Sequence, residues 1–90
     1  MSTDAARHVV TLSFPYADER RARLVADAID VEVGEIADDR SRAAVDRSGS
    51  RVTVTVHASD LVALRAGLNT WGRLVSVAER LSENRPTTNV

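Results

Sequence analysis

The stretch that decides the fold is Ser59 to Leu81, which reads SDLVALRAGLNTWGRLVSVAERL. Its apolar residues recur at alternating spacings of three and four, which is the pattern of a helix face. The main row is Leu61, Leu64, Leu68, Trp71, Val75 and Ala78, and a second row beside it is Gly67, Leu74 and Leu81. Together they cover roughly half of the circumference, more than the ~100° that one core face requires. The pattern therefore predicts a long helix that is covered on more than one side.

The segment immediately before this helix gives the strongest strand signal in the chain. Residues 51–58 alternate, with Val52, Val54, Val56 and Ala58 facing one way and Arg51, Thr53, Thr55 and His57 the other. Such alternation of β-branched residues favours a central strand. The turn Ser48-Gly49-Ser50 links it to a weaker strand over residues 41–47, so the two segments are predicted to form a hairpin.

The N-terminal half predicts a strand followed by a helix. Residues 8–14 alternate in the same way, with Val10, Leu12 and Phe14 on one face, and Pro15 ends the strand. A helix capped by Asp18 is expected to continue to Asp30. Residues 31–40 contain Gly34 and several carboxylates, and they favour an irregular connection.

These elements predict an α+β fold in the order β-α-β-β-α. A right-handed crossover leaves room for the third strand between the first two, so the antiparallel sheet has the order 1-3-2 with both helices on one face. One domain is expected over residues 8–81, between a flexible leader (1–7) and a flexible tail (82–90).

The long helix is expected to extend beyond this sheet. A strand of eight residues spans about 26 Å at ~3.3 Å per residue, and the helix about 33 Å at ~1.5 Å per residue. Its last part, which contains Val75, Val77, Ala78 and Leu81, is therefore predicted to lack cover within this chain, the alternative being that the first helix alone fills the gap. Gly67 and Gly72 each cost up to ~1 kcal/mol relative to alanine in a helix, and they would allow another backbone to come close.

Composition restricts the class of protein. Ninety residues form one small domain, for which oligomerisation or a partner is a reasonable expectation. There is no cysteine, no signal peptide and no apolar run long enough for a membrane span, so a cytoplasmic protein is expected. The formal net charge is −1 although all twelve basic residues are arginine, which argues against binding nucleic acid by bulk charge alone.

Catalytic and metal-binding patterns are absent from the sequence. His8 and His57 fall on strands without partner ligands, and the acidic residues 32–39 lack the ligand spacing of a calcium loop. No glycine forms a phosphate-binding loop and no serine sits in a nucleophile elbow. We therefore expect no enzyme activity, no cofactor and no metal. The strand order could suit a KH-like RNA-binding module acting through its arginines, but the GxxG clamp of that module is missing.

The passage VTVTVHASDLVALRAGLNTWGRLVSVAERL, residues 52–81, resembles the family of the small dimerisation subunit of the KEOPS complex. In that pattern a β-branched strand precedes a helix that opens with a Leu-Arg pair, here Leu64-Arg65, and continues with an Asn-Thr pair, here Asn69-Thr70. The strand ending at Phe14-Pro15 and the acidic helix start at Asp18-Glu19 fit as well. The longer acidic connection and Trp71 depart from the pattern.

The resemblance implies a non-catalytic subunit of the archaeal-type machinery that makes threonylcarbamoyladenosine in tRNA. Members of the family form homodimers, and their helices pack on the catalytic threonylcarbamoyl-transferase subunit. A helper role in holding tRNA is also attributed to them.

Two groups of residues are the candidate sites. We expect the partner to bind the uncovered edge formed by Leu74, Val77 and Leu81, with Arg65 and Asn69 orienting it through charge-assisted hydrogen bonds. For tRNA the candidates are Arg20, Arg21 and Arg23, although a solvated helix face explains these three equally well.

Overall fold

The computed structural model describes residues 8–36 and 40–83. Its elements are β1 (His8–Pro15), α1 (Glu19–Asp30), the one-turn α2 (Val33–Ile36), β2 (Ser41–Ser48), β3 (Arg51–Ala58) and α3 (Leu61–Glu83). The predicted leader 1–7, residues 37–39 of the acidic connection and residues 84–90 of the predicted tail lie outside the described residues.

The predicted fold class is confirmed. The three strands form one antiparallel sheet in the order β1-β3-β2, with α1 and α3 packed on it. β3 pairs along its whole length with both neighbours. At one end Ala58 lies opposite His8 and Ser41, and at the other end Arg51 lies opposite Pro15 and Ser48. A two-residue turn joins β2 to β3, and Gly49 has a φ of 60° there, a conformation in which a side chain is strained.

The core lies between the helices and the inner face of β3. Val52 and Val54 are fully buried, and Val56 and Ala58 nearly so. α1 and α3 cover this face with Ala22, Val25, Ala26 and Ile29 from α1 and with Trp71, Val75 and Ala78 from α3. No polar or charged side chain is buried among the described residues, so the core is held by apolar packing.

The inner face of β1 is covered less completely than expected. Val10, Leu12 and Phe14 are only half-buried, although the sequence predicts that they lie under both helices. The reason is that α3 lies mainly over β3, while α1 lies over β2 and β3 and leaves the outermost strand at the margin.

Two predictions about α3 need correction. Its C-terminal part does have a cover, because Val75 and Ala78 are 1% and 4% exposed where α1 packs against them. Conversely, Leu61 belongs to the predicted buried row but is 66% exposed in the first turn. Of the residues predicted to be uncovered, Val77 and Leu81 are indeed exposed.

The boundaries of two segments also differ from the prediction. The connection after α1 is partly ordered, because its residues 33–36 form the helical turn α2, from which Val33 packs on the core. α3 continues to Glu83 rather than ending at Leu81. Ser82 therefore belongs to the helix, where its hydroxyl donates a hydrogen bond of 2.9 Å to the Glu79 carbonyl.

Candidate protein-docking surface

The first turn of α3 is held by a capping carboxylate. Asp60 Oδ1 accepts a hydrogen bond of 2.8 Å from the Ala63 N–H, and Arg40 donates to both carboxylate oxygens at 3.0 and 2.9 Å. The hydrogen bond from Ala63, followed by that from Arg40, holds the pKa of Asp60 below its ordinary value. The start of α3 is thereby tied to the beginning of β2.

The last turns of α3 are held by a second polar cluster. The Tyr16 hydroxyl donates a hydrogen bond of 2.7 Å to Glu79 Oε2, and Arg21 donates through Nε to Ser82 Oγ at 3.2 Å. Burial, followed by the hydrogen bond to Glu79, raises the pKa of Tyr16 above its ordinary value, so the hydroxyl remains a donor. With both ends fixed, α3 presents its outward face as a rigid surface.

The outward face of α3 is exposed along its whole length. It combines basic, small polar and apolar side chains: Leu61, Val62, Arg65, Ala66, Asn69, Arg73, Ser76, Val77, Arg80 and Leu81. Four of these are large apolar residues, with Val62 71% and Leu81 66% exposed. Leu61 and Val62 lie in the first turn, whereas Val77 and Leu81 lie near the C-terminal end, one turn apart. An exposed apolar pair beside a concave surface is typical of a site that another protein covers.

A shallow groove of about 530 Å³ runs along this face. Its lining residues are Leu68, Asn69, Gly72, Arg73, Ser76, Val77 and Arg80. All seven of these described residues come from a single helix. A small-molecule site normally encloses most of its ligand, and this geometry instead suits another extended element lying along α3.

A smaller concavity of about 170 Å³ lies between α1 and α3. One side is formed by Ala28 and Ile29 of α1 and by Glu32, which follows α1. The other side is formed by four residues of α3: Leu74, Val77, Ala78 and Leu81. Val77 borders both concavities and is 48% exposed. The two depressions therefore adjoin at Val77, the smaller one being mainly apolar and the larger one mixed.

The two glycines of α3 have different structural roles. A Cβ on Gly67 would lie 2.9 Å from Val56 Cγ1, so this glycine permits close packing of α3 on β3. A Cβ on Gly72 would meet nothing within 4 Å, because this glycine opens onto the groove. The sequence indicates that both glycines admit a partner, and the structure leaves that role to Gly72 alone.

Alanine at these positions is expected to have opposite effects on stability. Gly67→Ala should lower the free energy of unfolding by roughly 1–2 kcal/mol, since overpacking against buried Val56 outweighs the better helix propensity of alanine. Gly72→Ala should raise it by up to ~1 kcal/mol. Thermal and urea unfolding of the two variants measures both effects, and a stabilised Gly67→Ala variant would contradict the packing of α3 described above.

The structure brings some of the predicted partner-binding residues together and separates others. Leu74, Val77 and Leu81 line the smaller concavity together, but Leu74 is half-buried and packs on the core. Asn69 lines the larger groove, and Arg65 lies on the same outward face outside both depressions. Whether these residues bind a partner remains a prediction.

The predicted tRNA-contact residues on α1 do not share one environment. Arg20 is exposed, and Arg23 is exposed with its Nη1 4.0 Å from Glu19 Oε2. Arg21, predicted to stay on the solvated face, is half-buried because it donates to Ser82 and its guanidinium lies 5.9 Å from the centre of the Tyr16 ring. Arg21 therefore contributes to the packing of α3.

Five groove residues were not among the predicted sites: Leu68, Gly72, Arg73, Ser76 and Arg80. A signal for them exists in the sequence, because Arg73 and Arg80 are seven residues apart and therefore lie on the same side of a helix. The amphipathic pattern places these arginines among the polar residues of the helix, but it does not predict that Leu68 and Val77 line the same groove.

The open edge of β1 is a second exposed surface. β1 contains no arginine, lysine or carboxylate, and Val9 on its outer face is 54% exposed. β2, the other outer strand, carries Arg42, Asp46 and Arg47. Charges on an edge strand oppose pairing with further strands, so β1 is the edge more open to another chain.

Neither a metal site nor a membrane-spanning helix is found in the described residues. Within residues 8–36 and 40–83, no group of three or more histidine or carboxylate side chains is arranged to hold a metal ion. None of the helices in the same ranges combines the length and apolarity needed to cross a membrane.

Fold and surface together define a small α+β protein whose exposed features suit contact with other proteins. The family model described as transcription factor Pcc1 matches residues 9–83. The chain belongs to this Pcc1 family of small KEOPS subunits, and the resemblance indicated by the sequence is confirmed.

One solved structure supports the fold. A chain of the crystal structure described as the binary complex Gon7-Pcc1 superposes with a TM-score of 0.73 at 18% identity, covering 87% of this chain and 95% of that chain. At this level of identity the likeness concerns the fold. No curated protein matches the sequence.

Proposed function

We propose that this chain is a non-catalytic assembly subunit of a cytoplasmic KEOPS complex, which makes threonylcarbamoyladenosine in tRNA. It forms a homodimer and docks α3 on the catalytic threonylcarbamoyl-transferase subunit, so that the dimer joins two copies of the complex. Membership of the Pcc1 family supports a place in the complex. The Gon7-Pcc1 structure, a binary complex, supports the view that proteins of this fold act by binding another protein.

The observation that carries the docking proposal is the outward face of α3. Hydrogen bonds at Asp60 and at Glu79 fix both ends of the helix. Val77 and Leu81 are nevertheless exposed, although the neighbouring residue Ala78 is buried. Burying such side chains in a partner is favourable by about 25 cal/mol for each Å² of apolar area. A rigid helix also loses little conformational entropy on binding.

We assign the homodimer contact to the open edge of β1. Two β1 strands related by a two-fold axis would pair antiparallel and extend the sheet to six strands. The second copy would cover the half-buried side chains of Val10, Leu12 and Phe14. The alternative arrangement, packing of the outer faces of two sheets, is less favourable because that face carries Thr11, Thr55 and Arg51.

Val10→Lys is expected to convert the homodimer into a monomer. Val10 points to the inner face of β1 but is not part of the packed core, so the chain should still fold, while an inward-pointing charge on an edge strand opposes pairing. Light scattering at micromolar concentrations measures the mass, and circular dichroism checks the helices. Ala44→Lys, on the outer strand β2, serves as the control and should remain dimeric. A Val10→Lys variant that is still dimeric, or a wild-type protein that is monomeric, would reject this contact.

A role in holding tRNA would fall to Arg20 and Arg23, since both are exposed on α1. The alternative that the chain acts by itself as a KH-like RNA-binding module predicts RNA binding without the transferase subunit. Binding through many phosphate contacts weakens steeply with salt, much more than a helix contact that rests largely on apolar burial. Affinity purification from the native host, followed by binding assays at increasing salt, therefore separates the assembly function from the RNA-binding function.

A further inference from the structure

We infer that the groove along α3 accepts an acidic helix, one that carries two carboxylates seven residues apart and a small or apolar side chain between them. This inference rests on the proposed function, and it specifies the chemistry of the partner segment that docks there. Its carboxylates would pair with Arg73 and Arg80, and the intervening side chain would pack on Ser76 and Val77, which lie between the two arginines along α3.

The charge on this face points to an acidic partner. Arg65, Arg73 and Arg80 are exposed and form no hydrogen bond or ion pair within the part of the chain that the structure describes. Over residues 61–82 the sole carboxylate of α3 is Glu79, which is half-buried and accepts the Tyr16 hydroxyl. Over residues 61–82 the outward face therefore carries three arginines and no carboxylate, although the chain as a whole has a formal net charge of −1.

The shape of the groove points to a helix. Arg73 and Arg80 are seven residues apart, which places their Cα atoms about 10.5 Å, or two turns, apart along the axis. Two carboxylates at the same spacing on an approaching helix would face both arginines. Ser76, which lies between them, is small, and Gly72 just before Arg73 leaves open space. The partner backbone can therefore come close while Leu68 and Val77 supply apolar contact.

Other occupants fit the surface less well. In a two-fold contact between α3 helices of two copies, the same patch faces itself, so that arginines would face arginines at a cost of like-charge repulsion. RNA would use the arginines but would leave Leu68 and Val77 against phosphates and sugars. A protein helix would contact the arginines and also the apolar residues Leu68 and Val77.

Charge reversal provides the first test. In the full-length chain, Arg73→Glu with Arg80→Glu is expected to weaken binding to the transferase subunit at least about 100-fold, because both ion pairs become repulsive. Arg42→Glu with Arg51→Glu makes the same change in net charge on the outer face of the sheet and should alter the affinity less than about threefold. Calorimetry or surface plasmon resonance gives the affinities, and the melting temperature shows that both variants fold.

The absence of lysine allows the facing groups to be identified directly. All twelve basic side chains are arginine, so Arg73→Lys or Arg80→Lys introduces a unique side-chain amine while keeping the charge. A zero-length carbodiimide reagent then joins this amine to any carboxylate in contact with it, and mass spectrometry locates the link. We expect links from both positions to two carboxylates of one partner helix, seven residues apart, and none to that helix from the Arg42→Lys control.

The outcomes separate this inference from the proposed function. Absence of a wild-type complex with the transferase subunit would reject the proposed function together with the inference. A complex that forms but tolerates the reversal of Arg73 and Arg80 would overturn the inference alone. Links to carboxylates of a second copy, or RNA that competes with the transferase subunit for these arginines, would overturn it as well.

Discussion

Val54→Asp is expected to lower the free energy of unfolding by about 3–5 kcal/mol. Val54 lies at the centre of β3 and is fully buried beneath the helices, and the structure places no basic group in this core. The carboxylate would have to be buried without a partner or remain protonated, and either is costly. Small domains are stable by about 5–15 kcal/mol, so this single change should leave the chain close to unfolding. Circular dichroism during thermal and urea unfolding measures the effect.

Two comparisons make this result specific. Thr55→Asp changes the next residue of β3, which points to the opposite face of the sheet, and should cost much less. Leu12→Asp should lie between them, because Leu12 is half-buried on β1. A melting temperature of Val54→Asp near that of the wild type would mean that the inner face of the sheet is assigned wrongly.

Val77→Glu combined with Leu81→Glu is expected to abolish binding of the transferase subunit while leaving the chain folded. Both side chains are exposed, at 48% and 66%, so the charges remain solvated in the free protein. In a complex they would be buried against the partner, and loss of central apolar anchors commonly costs ~2 kcal/mol or more each. A pull-down of the transferase subunit, read beside circular dichroism of the same variant, measures both properties.

The control for this pair lies at the other end of the same helix. Leu61→Glu with Val62→Glu makes the same change at two exposed apolar residues of the first turn, roughly four to five turns away, and should bind normally. Leu74→Glu is less informative, since Leu74 packs on the core and its loss would also affect folding. Retained binding by the Val77 and Leu81 variant would reject this end of α3 as the docking surface.

The elements of the fold could be predicted because each has a local cause. Alternation over residues 51–58 predicts the central strand, and all four apolar members are buried in the structure. The three-and-four spacing after Asp60 predicts α3, and Trp71, Val75 and Ala78 of that row are buried. The weak strand over residues 41–47 could be recognised because a short turn connects it to a strong one.

The candidate site could be predicted only in part. Periodicity shows which side of α3 is apolar, but the cover of each turn depends on α1, which lies far earlier in the chain. Val75 and Ala78 are covered by α1 while Val77 beside them is exposed. The role of Arg21 was missed for the same reason, since its partners Tyr16, Glu79 and Ser82 meet only when the chain has folded.

The sequence by itself determined the order of strands and helices, the inner face of β3, the family, and the excess of apolar surface on α3. These follow from local periodicity and from side-chain chemistry. The tertiary structure alone decided that Gly67 meets Val56 while Gly72 opens onto the groove, and that Arg73 and Arg80 line this groove with Leu68 and Val77. The physical reason is that exposure is a property of the packed arrangement, because a side chain is covered or left free by residues far from it in the chain.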